Sequence, residues 1–181
     1  MDNGASSYRR YLDGEEEAFE QIVKDYMDAL IGFVDSYVKD KTAAGDIAID
    51  TFADLIVHKH RYNFRVPLKT YLFMIGRSRA LNYIKRRGRF QMVELSSAET
   101  ELPTVSSPEM KTFMDERNQA IWAALATLSG PMREAVRLVY FEQLSCADAA
   151  KIMRKTVKQV YNLLYRAKES LRTVLAEELE L

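Results

Sequence analysis

Cysteine is nearly absent from this 181-residue chain: Cys146 stands alone. No internal disulfide can form, and a reducing cytoplasm is the expected location. Glycine and proline are scarce, at seven and four, so long stretches carry nothing that breaks a helix. No apolar run approaches the roughly 20 residues that span a bilayer. The N-terminal stretch is acidic and lacks a signal-peptide pattern. Phosphate loops, nucleophile elbows and zinc motifs are also missing. His58 and His60 form an H-x-H with no cysteine near to complete a metal set, and they read as polar residues at a helix end. Cys146 reads as a small residue in a helix first turn. These gaps exclude membrane insertion and leave no motif for a cofactor or a small-molecule substrate. The chain does not read as an enzyme.

Charge is what the chain distributes unevenly. Its 26 basic and 26 acidic side chains cancel, yet residues 1–57 hold 13 acids against five bases, and residues 58–90 hold ten bases and no acid. A second basic island lies at 151–172, with seven bases and one acid. Two such islands in an acidic chain point to two contacts with a polyanion.

Periodicity predicts helices throughout and no strand. Phe19, Ile22, Val23, Tyr26, Leu30, Phe33, Val34 and Tyr37 recur at three- and four-residue steps, giving an amphipathic helix with Asp13 as its expected N-cap. A second helix is expected from about Thr42 to His58, with Ile47, Phe52, Leu55 and Ile56 inward and Asp46, Asp50 and Asp54 on one outer stripe. Pro67 opens a third, from about Leu68 to Arg87, with Leu68, Leu72, Ile75 and Ile84 inward. From 91 to 107 the period stops, and Ser, Thr, Glu and Pro dominate: an acidic, flexible linker. Ser107–Pro108–Glu109 then restarts helix, with Trp122, Leu125 and Leu128 as core contacts.

The C-terminal third is punctuated more sharply. After a helix that follows Ser129–Pro131, Ser145 stands three residues before Asp148, and Thr156 three before Gln159. Both pairs are capping boxes in outline. They predict helices near 146–153 and 157–176 around a tight turn at Arg154–Lys155, which is a helix-turn-helix. Its second helix offers Lys155, Thr156, Lys158, Gln159 and Asn162 to a DNA major groove, with Arg166 further along as a phosphate contact. In the first island Tyr62, Phe64, Tyr71, Phe73 and Tyr83 interleave with the cations, a combination suited to stacking unpaired bases.

The stretches "EEEAFEQIVKDY", "DIAIDTFADLI", "FRVPLKTYLFMIGRSRALNYIKRR", "LATLSGPMREAVRLVYFEQLSCADAAKIM" and "TVKQVYNLLYRAKESLR" resemble, in order and spacing, an extracytoplasmic-function sigma factor of bacterial RNA polymerase. The resemblance implies an all-α fold of two small helical domains: a region 2-like bundle over 8–90 and a region 4-like helix-turn-helix over 108–178, joined by the linker at 91–107. It implies core RNA polymerase and promoter DNA as partners, with an anti-sigma factor as a frequent third. By the same resemblance Asp46, Asp50 and Phe52 contact polymerase. Arg61, Tyr62, Asn63, Phe64 and Arg65 lie on the loop that captures a −10 base, and Lys69, Arg77, Arg79, Lys85 and Arg86 follow on the next helix. Four positions depart from the family pattern: Tyr71 replaces a tryptophan, Ser78 an asparagine, Ile49 a glutamine and Arg154 the turn glycine. A stand-alone helix-turn-helix regulator is the alternative reading; a purely protein-binding adaptor would leave both basic islands unexplained.

Overall fold

In the computed structural model, residues 4–94 and 124–179 are described, with side chains over 4–88 and 124–173. All regular elements among them are helical. The chain divides into two compact units, Met1–Thr100 and Glu101–Leu181.

The first unit holds α1 (Ala5–Leu12), α2 (Glu16–Val38), α3 (Lys41–Val57) and α4 (Leu68–Glu94). The apolar stripe of α2 buries Ile22, Leu30, Phe33 and Val34, and α2 packs on α1, α3 and α4. Gly76 lets α4 approach closely, since a Cβ there would stand 2.8 Å from Leu30 Cδ1. Asp40 caps α3 by accepting from the Ala43 N–H at 3.1 Å. The core is closed by Leu68, Leu72, Phe73 and Ala80 of α4.

Three local expectations are corrected. Asp13 does not start α2; it ends α1, its N–H donating to the Arg9 carbonyl. Gly14 then turns the chain at φ +103, and Glu15 becomes the N-cap residue of α2. The Arg10 Nε–H donates to Glu15 at 2.7 Å; that hydrogen bond, with the guanidinium charge, holds the Glu15 carboxyl below its usual range. Eight residues are too few to show a helical period, which is why α1 is not legible in the sequence. Secondly, Ile56 and Ile84 are exposed, not inward. Thirdly, α4 runs to Glu94, past Arg87 and into the stretch read as linker. Only Gly88 interrupts it there, and a lone glycine weakens a helix without ending it. The rest of that stretch, and the helix start read at Ser107–Glu109 with Trp122, lie outside the described residues.

In the second unit α5 (Gly130–Val136) runs on as a π-helical turn, Arg137–Phe141. Then come α6 (Cys146–Met153) and α7 (Val157–Leu179). Both α5 and α6 pack on α7. Leu125 and Leu128 are buried as the period predicts, with Leu138, Ile152, Val160 and Ala167. The Arg133 guanidinium donates to the carbonyls of Leu125, Ala126 and Leu128 at 3.2, 2.8 and 2.9 Å. It thereby satisfies the orphan acceptors where the preceding helical turn ends.

Candidate nucleic-acid interface

Reciprocal capping sets the register of α7. The Gln159 N–H donates to Thr156 Oγ1 at 3.2 Å, and the Thr156 N–H donates to Gln159 Oε1 at 2.8 Å. Ser145 starts α6 similarly, accepting from the Asp148 N–H at 3.0 Å while its hydroxyl donates to the Asp148 carboxylate at 2.6 Å. Between the two helices Arg154 sits at φ +53. Its N–H donates to the Lys151 carbonyl at 3.3 Å, and the Lys155 N–H donates to Ala150 at 2.9 Å. That pair of bonds is a Schellman motif with arginine where glycine is usual. The turn keeps its geometry in spite of the substitution, at a strain of about 1–2 kcal/mol.

With Val160, Leu164 and Ala167 buried, α7 turns its other face outward. Lys155, Gln159, Asn162, Leu163 and Arg166 line one shallow groove. Lys155, Thr156, Lys158, Gln159, Asn162 and Arg166 are all exposed. Four of the six polar residues read from the sequence therefore share a stripe, and Lys158 flanks it. Thr156 instead holds the helix end.

The basic island of the first unit is organised by alternation. In the loop between α3 and α4, Arg61, Asn63 and Arg65 are exposed, whereas Tyr62 turns inward. The Tyr62 hydroxyl donates to the Val66 carbonyl at 2.8 Å, closing the loop, and the Arg65 N–H donates to Asn63 Oδ1 at 3.1 Å. Phe64 is half-buried at φ +61, an outlier for an aromatic residue. Beneath the loop the rings form a cluster. Tyr62 meets Phe64 at 4.6 Å, Tyr71 at 5.1 Å and Tyr8 at 5.4 Å. Burial pushes the Tyr8 and Tyr62 hydroxyls up to about 12 and raises that of Tyr71.

Tyr8 anchors this platform. It is wholly buried, and its hydroxyl lies 2.9 Å from the Leu55 carbonyl and 3.1 Å from that of Lys59. Two cations from the same neighbourhood lie over rings: Arg9 over Phe64 at 4.8 Å and Lys59 over Tyr11 at 4.7 Å. Neither α1 nor Arg9 was legible as part of this surface. The alternation of Tyr8 and Tyr11 with Arg9 and Arg10 was the available signal.

Other expected residues fall differently. Tyr62 and Phe73 are buried, so neither offers a free face to a base. The reason is geometric: both rings fill the space between α4 and its neighbours, Phe73 stacking on Phe33 at 4.7 Å. Phe52 is likewise buried, edge-on to Phe19 at 6.4 Å, and can only support a partner surface from beneath. Asp46 and Asp50 are exposed beside Ile49, but Asp54 is half-buried and bound to Arg79. On α4, Lys85 and Arg86 are exposed, Arg77 is half-buried, and Lys69 reaches 5.4 Å over Phe73. Among the described residues, no helix is long and apolar enough to cross a membrane.

Comparison with known proteins fits this geometry. The family profile "Sigma-70 region 2" matches residues 22–90, and "Sigma-70, region 4" matches residues 118–171. The chain is similar to the ECF RNA polymerase sigma factor SigM of Bacillus subtilis (strain 168), 23% identical over 157 residues, covering 86% of this chain and 93% of the relative. It is also similar to the ECF RNA polymerase sigma-E factor of Haemophilus influenzae, 26% identical over 168 residues, covering 88% of each. Among solved structures it resembles the sigma factor RpoE in complex with the anti-sigma factor NepR from Bartonella quintana. There the TM-score is 0.68 at 26% identity, over 87% of this chain and 96% of that one. CnrH, in complex with the cytosolic domain of CnrY, shares the fold at TM-score 0.65 and 20% identity, over 97% and 99%. With both sigma-70 regions matched in order on one helical chain, this protein belongs to the extracytoplasmic-function sigma factors of the sigma-70 family.

Proposed function

We infer that the chain is a transcription initiation factor that binds core RNA polymerase and directs it to specific promoters. It reads the −35 element as duplex through the outward stripe of α7, and it holds the opened −10 strand at the Arg61–Val66 loop. The observation that supports this best is the ordered pair of sigma-70 regions on one chain; a stand-alone regulator needs only the helix-turn-helix. Lys155, Lys158, Gln159 and Asn162 are the base readers, with Arg166 on phosphate. Arg61, Asn63, Phe64 and Arg65 serve the opened strand, and Lys69, Arg77, Lys85 and Arg86 continue along its backbone. Asp46 and Asp50, beside the exposed Ile49, form the polymerase-docking stripe of α3. The role is recognition, exercised in the cytoplasm, and no catalytic step is assigned to the chain. An anti-sigma factor is the expected inhibitory partner, by analogy with the RpoE–NepR complex.

Reconstitution tests the reading. The purified chain mixed with core polymerase should co-elute with it and support run-off transcription from a small set of genomic fragments. Asp50→Lys should weaken that association while the helical circular-dichroism spectrum is kept. DNA binding without any association with core enzyme would overturn the assignment in favour of a stand-alone regulator.

A further inference from the structure

Arg9 covers the central ring of the strand-reading loop, and it does so from α1, ahead of the segment matched to sigma-70 region 2 at 22–90. Its guanidinium carbon stands 4.8 Å from the Phe64 ring centroid. A base inserted between the two would need about 7 Å, twice a carbon–carbon contact distance. The face of Phe64 therefore holds either the guanidinium or a base.

We propose that Arg9 is a nucleotide-binding residue of the strand-reading site. In the free chain its guanidinium occupies the face of Phe64. An unpaired nucleotide displaces it, the base stacking on the ring and Arg9 moving to that nucleotide's phosphate. This rests on the reading of Arg61–Val66 as the strand-binding loop.

Four observations carry the proposal. The side chain of Arg9 is exposed, so its long stem is free to swing. Its origin is fixed, because the neighbouring Tyr8 is clamped to the carbonyls of Leu55 and Lys59. Phe64 is held in a left-handed backbone conformation, φ +61, with its ring wedged against Tyr62 at 4.6 Å and Tyr8 at 6.1 Å; a ring fixed at that cost is pre-organised as a stacking surface. Finally, Arg61 and Arg65 of the same loop, and Lys59 just before it, are exposed, and residues 58–90 contain no acid that would repel a phosphate there. A base–aromatic stack is stronger than an exposed cation–π contact, so the exchange runs toward the nucleotide.

The test uses the full chain assembled with core polymerase, titrated with fluorescein-labelled single-stranded DNA of randomised sequence over a range of salt. Arg9→Gln should weaken binding about three- to tenfold and make the log–log salt slope shallower by about 0.7, the signature of one lost phosphate contact on a single strand. Arg9→Lys should keep the slope, and Phe64→Ala should weaken binding with the slope unchanged. Wild-type affinity and slope in Arg9→Gln, with Phe64→Ala still impaired, would overturn the proposal and leave the loop reading intact. Tighter binding by Arg9→Gln would also overturn it, since arginine would then be only a competitor. Wild-type behaviour in both variants would sink the loop reading and the proposal together. Should Arg9→Gln lose helical content, Arg9→Lys decides: a retained slope supports the phosphate contact, and a shallower one rejects it.

Discussion

Arg79 on α4 donates a hydrogen bond to Asp54 on α3, and its other terminal nitrogen stands 3.6 Å from Asp50. A cation expected on promoter DNA is thus tied, in the free chain, to the stripe expected to meet polymerase. Burial by itself would raise the Asp54 pKa. The hydrogen bond and charge of Arg79, with His58 and Arg61 nearby, outweigh it and hold the carboxyl below its usual range. Arg79 first of all fixes α4 to α3.

Arg79→Ala should therefore cost stability before it costs DNA binding, by about 1–2 kcal/mol after allowance for solvent screening of a half-buried pair. Because the folded pKa of Asp54 is depressed, the contribution is complete above the ordinary carboxylate value. It is lost as pH falls through the lower folded value. Urea melts at pH 7 and pH 3 would measure it. Asp54→Asn should lose less stability on acidification than the wild type, and an equal loss in both would refute the ion pair's role.

Tyr8 gives a prediction at the alkaline end. With Tyr8 and Tyr62 pushed up to about 12, the unfolded chain ionises first as pH passes 10. Stability is complete below 10 and is lost between 10 and 12, at about 1.4 kcal/mol per pH unit for each tyrosine. Tyr8→Phe should lose about 1–2 kcal/mol at neutral pH, for the hydroxyl that meets two carbonyls, and should lose less stability than the wild type as pH rises from 10 to 12. Denaturation followed at pH 8, 10 and 11 distinguishes the two effects.

The Schellman turn predicts a stabilising substitution. Arg154→Gly removes the left-handed strain and should stabilise the helix-turn-helix by about 1 kcal/mol. It also removes an exposed cation next to Lys155, so affinity for duplex DNA should fall slightly and equally across sequences. A lower melting temperature would mean that the arginine side chain makes a compensating contact.

Gln159 is asked to do two things, and they can be separated. Gln159→Ala deletes half of the capping box, costing about 0.5–1 kcal/mol, and should relax preference at one −35 position, by about 1–3 kcal/mol of discrimination. Arg166→Ala should weaken all sequences together and flatten the salt dependence. Promoter selection from a randomised library by each variant holoenzyme gives both answers. An unchanged −35 preference in Gln159→Ala would leave its side chain a cap alone.

Apart from α1, the helices described in both units, the capping residues Ser145 and Thr156, and the position of the turn at Arg154 could all be written down from the amino-acid order. So could the offer of Lys155, Lys158, Gln159 and Asn162 to a groove, with Arg166 further along; that Lys155, Gln159, Asn162 and Arg166 line one groove is a finding of the structure. These features rest on interactions within three or four residues, which sequence spacing encodes directly. What the order of residues left open is how each cation and ring is used. Arg79 meets Asp54 across 25 residues, and Tyr8 meets Leu55 across 47. Only when α1, α3 and α4 are packed together does Tyr62 become a buried anchor, Phe52 a buried support and Arg9 a cover for Phe64. A side chain's spacing predicts which face it is on. Its availability depends on which distant helix that face is laid against, and that is decided by packing.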